Sequence, residues 1–232
     1  MSGIVGSYFN TRGSGVVAKL GTDGQVFTST GAGLSQGFEA AAGGAWNLIK
    51  TITASADSTI EFIDGASDVV LDTTYRKYIW NLNNIHSSAA DELEIRFTID
   101  GGSNWNVSLT GGLIYAYLNN SGSSTSTYTY NTSEDVHGST SAGVKLMSGN
   151  QMGIGNDESL CGTFELWNPG DTTFTKIFNG RTNIISNDAT DNNYNHHCWG
   201  QVSTTSAVDG VQFIMGSGNI DSGFFSLYGL ST

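Results

Sequence analysis

Apolar side chains recur at every second position through many short segments of this chain, and no segment repeats them every three or four residues through three helical turns. The clearest case is "ELEIRFTID", which puts Leu93, Ile95, Phe97 and Ile99 on one face and Glu94, Arg96 and Thr98 on the other. Successive strand side chains point to opposite faces, so this is the pattern of a half-buried strand. Asp100, Gly101 and Gly102 follow as a tight turn, and "VSLTGGLIYAYL" continues as a hairpin-like partner. Further strands are expected at "STIEFI", "YRKYIWNLNNI", "GTFELWN", "TFTKIFN", "NIIS", "GVQFIM" and "FFSLYGL", each bounded by Gly, Asn, Asp or Ser. Many short strands with frequent turn signals predict an all-β fold, a jelly-roll-like β-sandwich. Helix should be nearly absent; "FEAAAGGAW" offers one turn that its glycines stop.

Not all of the chain follows this rhythm. Residues 1–45 hold little apolar density beyond Val16, Val17, Leu20, Val26 and Phe27, too little for a core of their own. They read as an extended Gly-rich arm ordered against a partner chain, ahead of a sandwich domain at 46–232. Two polar loops, 119–143 and 187–198, interrupt the sandwich; the first has a possible Tyr128/Tyr130 strand in its middle. Long loops on such a scaffold are common functional surfaces or subunit contacts.

Charge narrows the classes of partner. A formal net charge of −12, with 9 Lys and Arg that do not cluster, argues against nucleic acid and anionic membranes. No run approaches the ~20 apolar residues of a membrane helix. The opening "MSGIVGSYFN" lacks the basic start and apolar core of a secretory leader. Cys161 and Cys198 are accordingly expected as free thiols, and the N-x-[ST] sites at Asn106, Asn119 and Asn131 mark polar, exposed segments.

Several motifs dissolve on inspection. Gly33-Leu34-Ser35-Gln36-Gly37 matches G-x-S-x-G, but no core strand precedes it and only a broken stub follows, so no nucleophile elbow is expected. His196, His197 and Cys198, with Asp188 and Asp191 nearby, suggest a metal. Adjacent histidines on a strand face opposite ways, however, and no second ligand pair is visible. A calcium site at Asp188 and Asp191 matches no ligand-loop pattern. His86 and His137 stand alone. No catalytic residue, metal ligand or cofactor is therefore expected. The aromatic residues leave two readings open. Tyr115, Tyr117, Tyr128, Tyr130 and Tyr194 fill the sandwich or a subunit interface, or else stack on sugars as a binding surface, with Tyr128, Tyr130 and Tyr194 the foremost candidates.

Three segments resemble virion structural proteins of tailed bacteriophages, of the tail-fibre and head-decoration type. "GTDGQVFTSTGAGLSQGFEAAAGGAW" resembles a segment that precedes a terminal β domain in such fibres. "ELEIRFTIDGGSNW" resembles an early strand and turn of that domain, and "TSAVDGVQFIMGSGNIDSGFFSLYGL" resembles its closing strands. The resemblance implies a non-enzymatic, homotrimeric virion component contacting other capsid or tail proteins. Because no long repetitive shaft is present, it implies capsid decoration, cement or a short head fibre, anchored by residues 1–45 with the sandwich outward. The alternative it leaves is a tail-fibre module that binds a receptor or host-surface glycan.

Overall fold

A computed structural model describes residues 25–29, 36–40, 44–119, 121–122, 127–148, 152–186 and 192–231. The chain divides into two units, Met1–Gly44 and Ala45–Thr232. In the first, β1 (Gln25–Ser29) and β2 (Gln36–Ala40) pair antiparallel, with Gln25 opposite Ala40 and Ser29 opposite Gln36. The arm expected at 1–45 thus contains a ladder where an extended segment was expected. Its remaining expected length, residues 1–24, lies outside the described residues, as do Gly33, Leu34 and Ser35 of the G-x-S-x-G match. Gln36 and Gly37 open a strand, not the helix that a nucleophile elbow requires, and the helical stub expected nearby is strand through Ala40.

The second unit is built from β3 (Trp46–Asp57), β4 (Thr59–Ile63), β5 (Lys77–Ser87), β6 (Leu93–Thr98), β7 (Leu109–Leu118), β8 (Thr129–Tyr130), β9 (Val136–Ser139), β10 (Val144–Lys145), β11 (Leu160–Trp167), β12 (Lys176–Ile185), β13 (Asn193–Val202), β14 (Gly210–Met215) and β15 (Ile220–Leu230). The one helical element described is a 3₁₀ turn at Thr132–Glu134, capped by the Asn131 side chain. No helix among the described residues is long and apolar enough to cross a membrane.

These strands form two antiparallel sheets. The smaller runs β10-β6-β14-β4; the larger runs β3-β15-β5-β11-β12-β13-β7-β8, with β9 also on β7. Within them β3 pairs β15, β4 pairs β14, β5 pairs β11 and β6 pairs β10. First pairs with last and each inner pair nests inside it, while the members divide between the sheets. That nesting defines a jelly roll, as the alternation predicted. Two insertions widen the larger sheet: β7–β9 between β6 and β10, and the β12–β13 hairpin between β11 and β14.

Aromatic rings fill the space between the sheets. Phe164 on β11 lies 5.4 Å from Trp80, 5.8 Å from Phe178, 6.1 Å from Phe213 and 6.2 Å from Phe97, centroid to centroid. All five are fully buried, two from the smaller sheet and three from the larger. Each such ring stabilises the fold by roughly 2–3 kcal/mol through burial, and truncating the central Phe164 to Ala should cost about 3–5 kcal/mol. On the rim, the Lys145 ammonium lies 2.5 Å from Glu92 and 2.6 Å from Glu134, tying the inserted segment back to β10. Burial acts to lower the Lys145 pKa, but the hydrogen bonds to Glu134 and Glu92 outweigh it and the net shift is upward.

Some local expectations need correction. Leu93, Ile95 and Phe97 are buried, but Ile99 is exposed and Thr98 is buried. The strand ends at Thr98, whose hydroxyl donates to Asp100 Oδ1 at 2.7 Å to brace the turn. Gly101 and Gly102 hold φ of 68° and 84°, a region that favours glycine. The turn does not close a hairpin, because β6 stays in the smaller sheet while β7 joins the larger. The expected loop 187–198 is strand from Asn193 onward; residues 187–191, including Asp188 and Asp191, lie outside the described residues. Of the three N-x-[ST] asparagines, Asn106 is exposed and Asn131 half-buried, whereas Asn119 is buried.

Candidate binding face

The insertions give the larger sheet an extension, β12-β13-β7-β8, and β13 shows how its two faces differ. Tyr194, His196, Cys198 and Val202 point inward and are buried. Opposite them on β7 sit Tyr117, Tyr115, Leu113 and Leu109. Tyr194 stacks on Tyr117 at 4.9 Å and on His196 at 5.7 Å, and Tyr115 lies 6.1 Å from His196. His196 is used here as a neutral aromatic ring. Neither ring nitrogen has a hydrogen-bond partner, and burial pushes its pKa down to about 3, with His197 adding a smaller downward push. Burial likewise pushes the Cys198 thiol up to about 12.

The outer face carries half-buried Asn195 and His197 and exposed Trp199 and Gln201 from β13, with exposed Asn183, Arg181, Asn179 and Ile177 across on β12. Tyr130 on β8 pairs with Ile114 and so shares this face. Its ring stacks on Trp199 at 6.1 Å and 28°. Gly112 makes that possible: a Cβ there would lie 3.4 Å from each ring and 3.0 Å from Asp135 Oδ1. The rings therefore lie down on bare β7 backbone.

Both tyrosines of this face are also tethered. The Tyr130 hydroxyl donates to Asp135 Oδ1 at 2.6 Å, and that bond raises its pKa. Tyr128 donates to Asn195 Oδ1 at 3.0 Å and meets His197 edge-on at 5.5 Å. Asn195 in turn donates to Asn183 Oδ1 at 2.8 Å. Rings locked by such second contacts lose little freedom when something binds.

Three shallow grooves meet at Trp199. One of 450 Å³ is lined by Arg181, His197, Thr163 and Asn179; another of 520 Å³ runs between Trp199 and Trp167 past Phe174 and Ile177. The third, of 450 Å³, lies between Trp199 and Tyr130 beside Asp135 and His137. Phe174 and Ile177 are 72% and 60% exposed and line one groove together with Trp167 and Trp199, an exposed apolar patch of the kind that marks a contact site. Beyond Trp167 the Lys77 ammonium sits 5.0 Å from that ring and 5.9 Å from Trp46, and pairs with Glu165 at 2.8 Å. Flat apolar rings alternating with amides and hydroxyls suit a ligand with apolar faces and polar edges.

Of the three tyrosines singled out from sequence, the structure brings Tyr128 and Tyr130 to this face and removes Tyr194 from it. Tyr194 is 4% exposed because Trp199 faces out and every odd step from it faces in. Tyr115 and Tyr117 pack half-buried beside it, the interior reading of those residues. Trp199, Ile177, Phe174, Trp167 and Arg181 were not foreseen, although the phase of "NYNHHCWGQV" carries the information for Trp199.

The remaining candidates do not converge. His196 and His197 point to opposite faces, and no group of three His, Cys, Asp or Glu among the described residues could hold a metal ion. His86 lies against Gly155 O and Asp221, and exposed His137 lies 3.8 Å from Asp135. Cys161 and Cys198 are free thiols on strands separated by β12, about 10 Å of lateral spacing, beyond disulfide reach. No protein-family model matches this chain, and neither a curated protein nor a solved structure does.

Proposed function

We propose that this protein is a non-enzymatic structural component of a tailed-bacteriophage virion, and that its jelly roll serves as a glycan-binding module. The N-terminal region attaches it to the particle and the sandwich is displayed toward the host surface, with homotrimeric assembly as the resemblance implies. The observation that carries the binding role is the Trp199–Tyr130 platform, stacked over Gly112 and held open to solvent. Sugar rings present C–H faces that stack on such platforms and hydroxyl edges that reach Asn179, Asn195 and Gln201. A part that only cements a shell has no need of exposed, hydrogen-bonded aromatics.

The test is binding to an array of bacterial surface glycans by wild type and Trp199→Ala. Loss of a central aromatic contact is typically worth 2 kcal/mol or more, so affinity should drop at least about tenfold with the melting temperature unchanged. An array silent for the wild-type protein would sink the glycan role.

The decoration reading keeps one observation of its own. Trp46 and Leu48, both exposed, form a short apolar strip on β3, the edge strand of the larger sheet opposite β8. That strip suits contact with a neighbouring virion subunit. Leu48→Lys should reduce incorporation into particles without changing glycan binding; normal incorporation would remove this reading.

A further inference from the structure

Within the groove beside Trp199, the charges are unevenly satisfied. Arg181 and His197 are directly opposed across β12 and β13 and both point outward. Arg181 is exposed and has no carboxylate partner among the described residues. The acid nearest to it in the groove lining, Glu165, is already held by Lys77 at 2.8 Å. Lys50 and Arg76 likewise have no carboxylate partner among the described residues, so what sets Arg181 apart is its place in the groove beside the aromatic platform.

The geometry points to an acidic sugar as the unit that occupies this groove, its carboxylate on Arg181 and its ring on Trp199. The inference rests on the glycan reading above and names the class of glycan: one containing uronic, sialic or another carboxylated sugar. A guanidinium presents paired N–H donors that match the two oxygens of a carboxylate, which an ammonium does not. Asn179, opposite Trp199, and Thr163, opposite Arg181, supply polar groups for the ring hydroxyls. His197 lines the groove beside Arg181, its Nε2 held 3.1 Å from Asn195 Oδ1 and its ring met edge-on by Tyr128 at 5.5 Å. Neutral glycans would fill the platform but leave the arginine unused.

The experiment screens the full-length protein on an array of neutral and acidic bacterial glycans. Each hit is retested after chemical reduction of its carboxylates to alcohols, and both forms are titrated against Arg181→Gln, Arg181→Lys and Trp199→Ala. Acidic hits should lose about tenfold in affinity on reduction and about tenfold with Arg181→Gln. The two losses should not add, because each removes the same contact. Arg181→Lys should recover only part of the loss, since it restores charge without the fork. Neutral hits, or acidic hits indifferent to both reduction and Arg181→Gln yet abolished by Trp199→Ala, would overturn the acidic-sugar assignment and leave the glycan role standing. No hits at all would overturn both. Arg181 is exposed and makes no core contact, so the variants should fold; unchanged melting temperatures verify this.

Discussion

His196 should make this fold acid-sensitive in a window set by one side chain. Its imidazole is fully buried between Tyr194 and Tyr115, with both ring nitrogens unpartnered, and its pKa falls from 6.5 to about 3. Between those values the unfolded chain binds a proton that the folded chain refuses. The native state is thus unpenalised above 6.5 and loses stability as pH falls through 6.5 toward 3. From about pH 7.5 to about pH 5 the loss is roughly 2 kcal/mol, at a limiting slope of about 1.4 kcal/mol per pH unit. The variant His196→Phe keeps the ring stack and has no proton to refuse. Its stability at pH 7.5 should stay within about 1.5 kcal/mol of wild type, since the swap is nearly isosteric. Urea unfolding of both proteins at the two pH values measures the difference. Other groups with shifted pKa values, among them Glu92, raised by burial, and His197, lowered by burial and then by Arg181, remain in both proteins, and subtraction largely removes them. Wild type should lose about 2 kcal/mol more than the variant. Equal losses, or an imidazole NMR signal of His196 that titrates near 6.5, would refute the reasoning.

Other consequences are open to direct test. Lys176 is buried and its ammonium donates to the carbonyls of Phe174, Thr205 and Ser206. Lys176→Met would orphan those acceptors, costing about 2–4 kcal/mol by denaturant titration; unchanged stability would mean the ammonium is not holding those loops. Gly200 pairs with Gly111, and a Cβ on it would lie 2.4 Å from Thr110 O and 2.5 Å from Phe178 Cζ. Gly200→Ala should therefore destabilise the protein by about 1–3 kcal/mol; an unchanged melting temperature would mean the strands are not so close. In the native protein a thiol reagent should label Cys161, which is half-buried, well before Cys198, whose thiol is buried and pushed up to about 12. Mass spectrometry after brief alkylation reads the order, and a Cys198-first pattern would contradict the assigned faces of β13.

The jelly roll was legible because strands such as β4, β6, β14 and β15 advertise their buried face with large apolar residues. The reading failed where burial and hydrophobicity part company. In β12 every second residue is buried, yet the buried set includes Lys176, Gly180 and Thr182 while Ile177 is 60% exposed. One ten-residue strand therefore read as two fragments, "TFTKIFN" and "NIIS". Edge strand β3 carries no clear strand signal in sequence because it borders a single neighbour and its alternation is irregular. The Asp100-Gly101-Gly102 turn was correctly placed but its partner was not. Turn chemistry fixes a local reversal, while sheet membership depends on which distant strands accept the ladder.

The binding face shows the same division at a finer grain. A run such as "NYNHHCW" looks like a loop by composition, since Asn and His favour turns, and a loop would expose Tyr194. Once it is a strand, a single choice of phase settles seven side chains together. Trp199 faces out over Gly112, whose bare backbone lets the indole and the Tyr130 ring lie down together on the outer side of β7. With Trp199 outward, His197 and Asn195 follow it, and Cys198, His196 and Tyr194 must enter the core. The buried neutral histidine and the exposed tryptophan are thus two consequences of one register. A shift of β13 by a single residue would drive Trp199 inward and expose His196, abolishing the proposed glycan platform and the acid sensitivity at once.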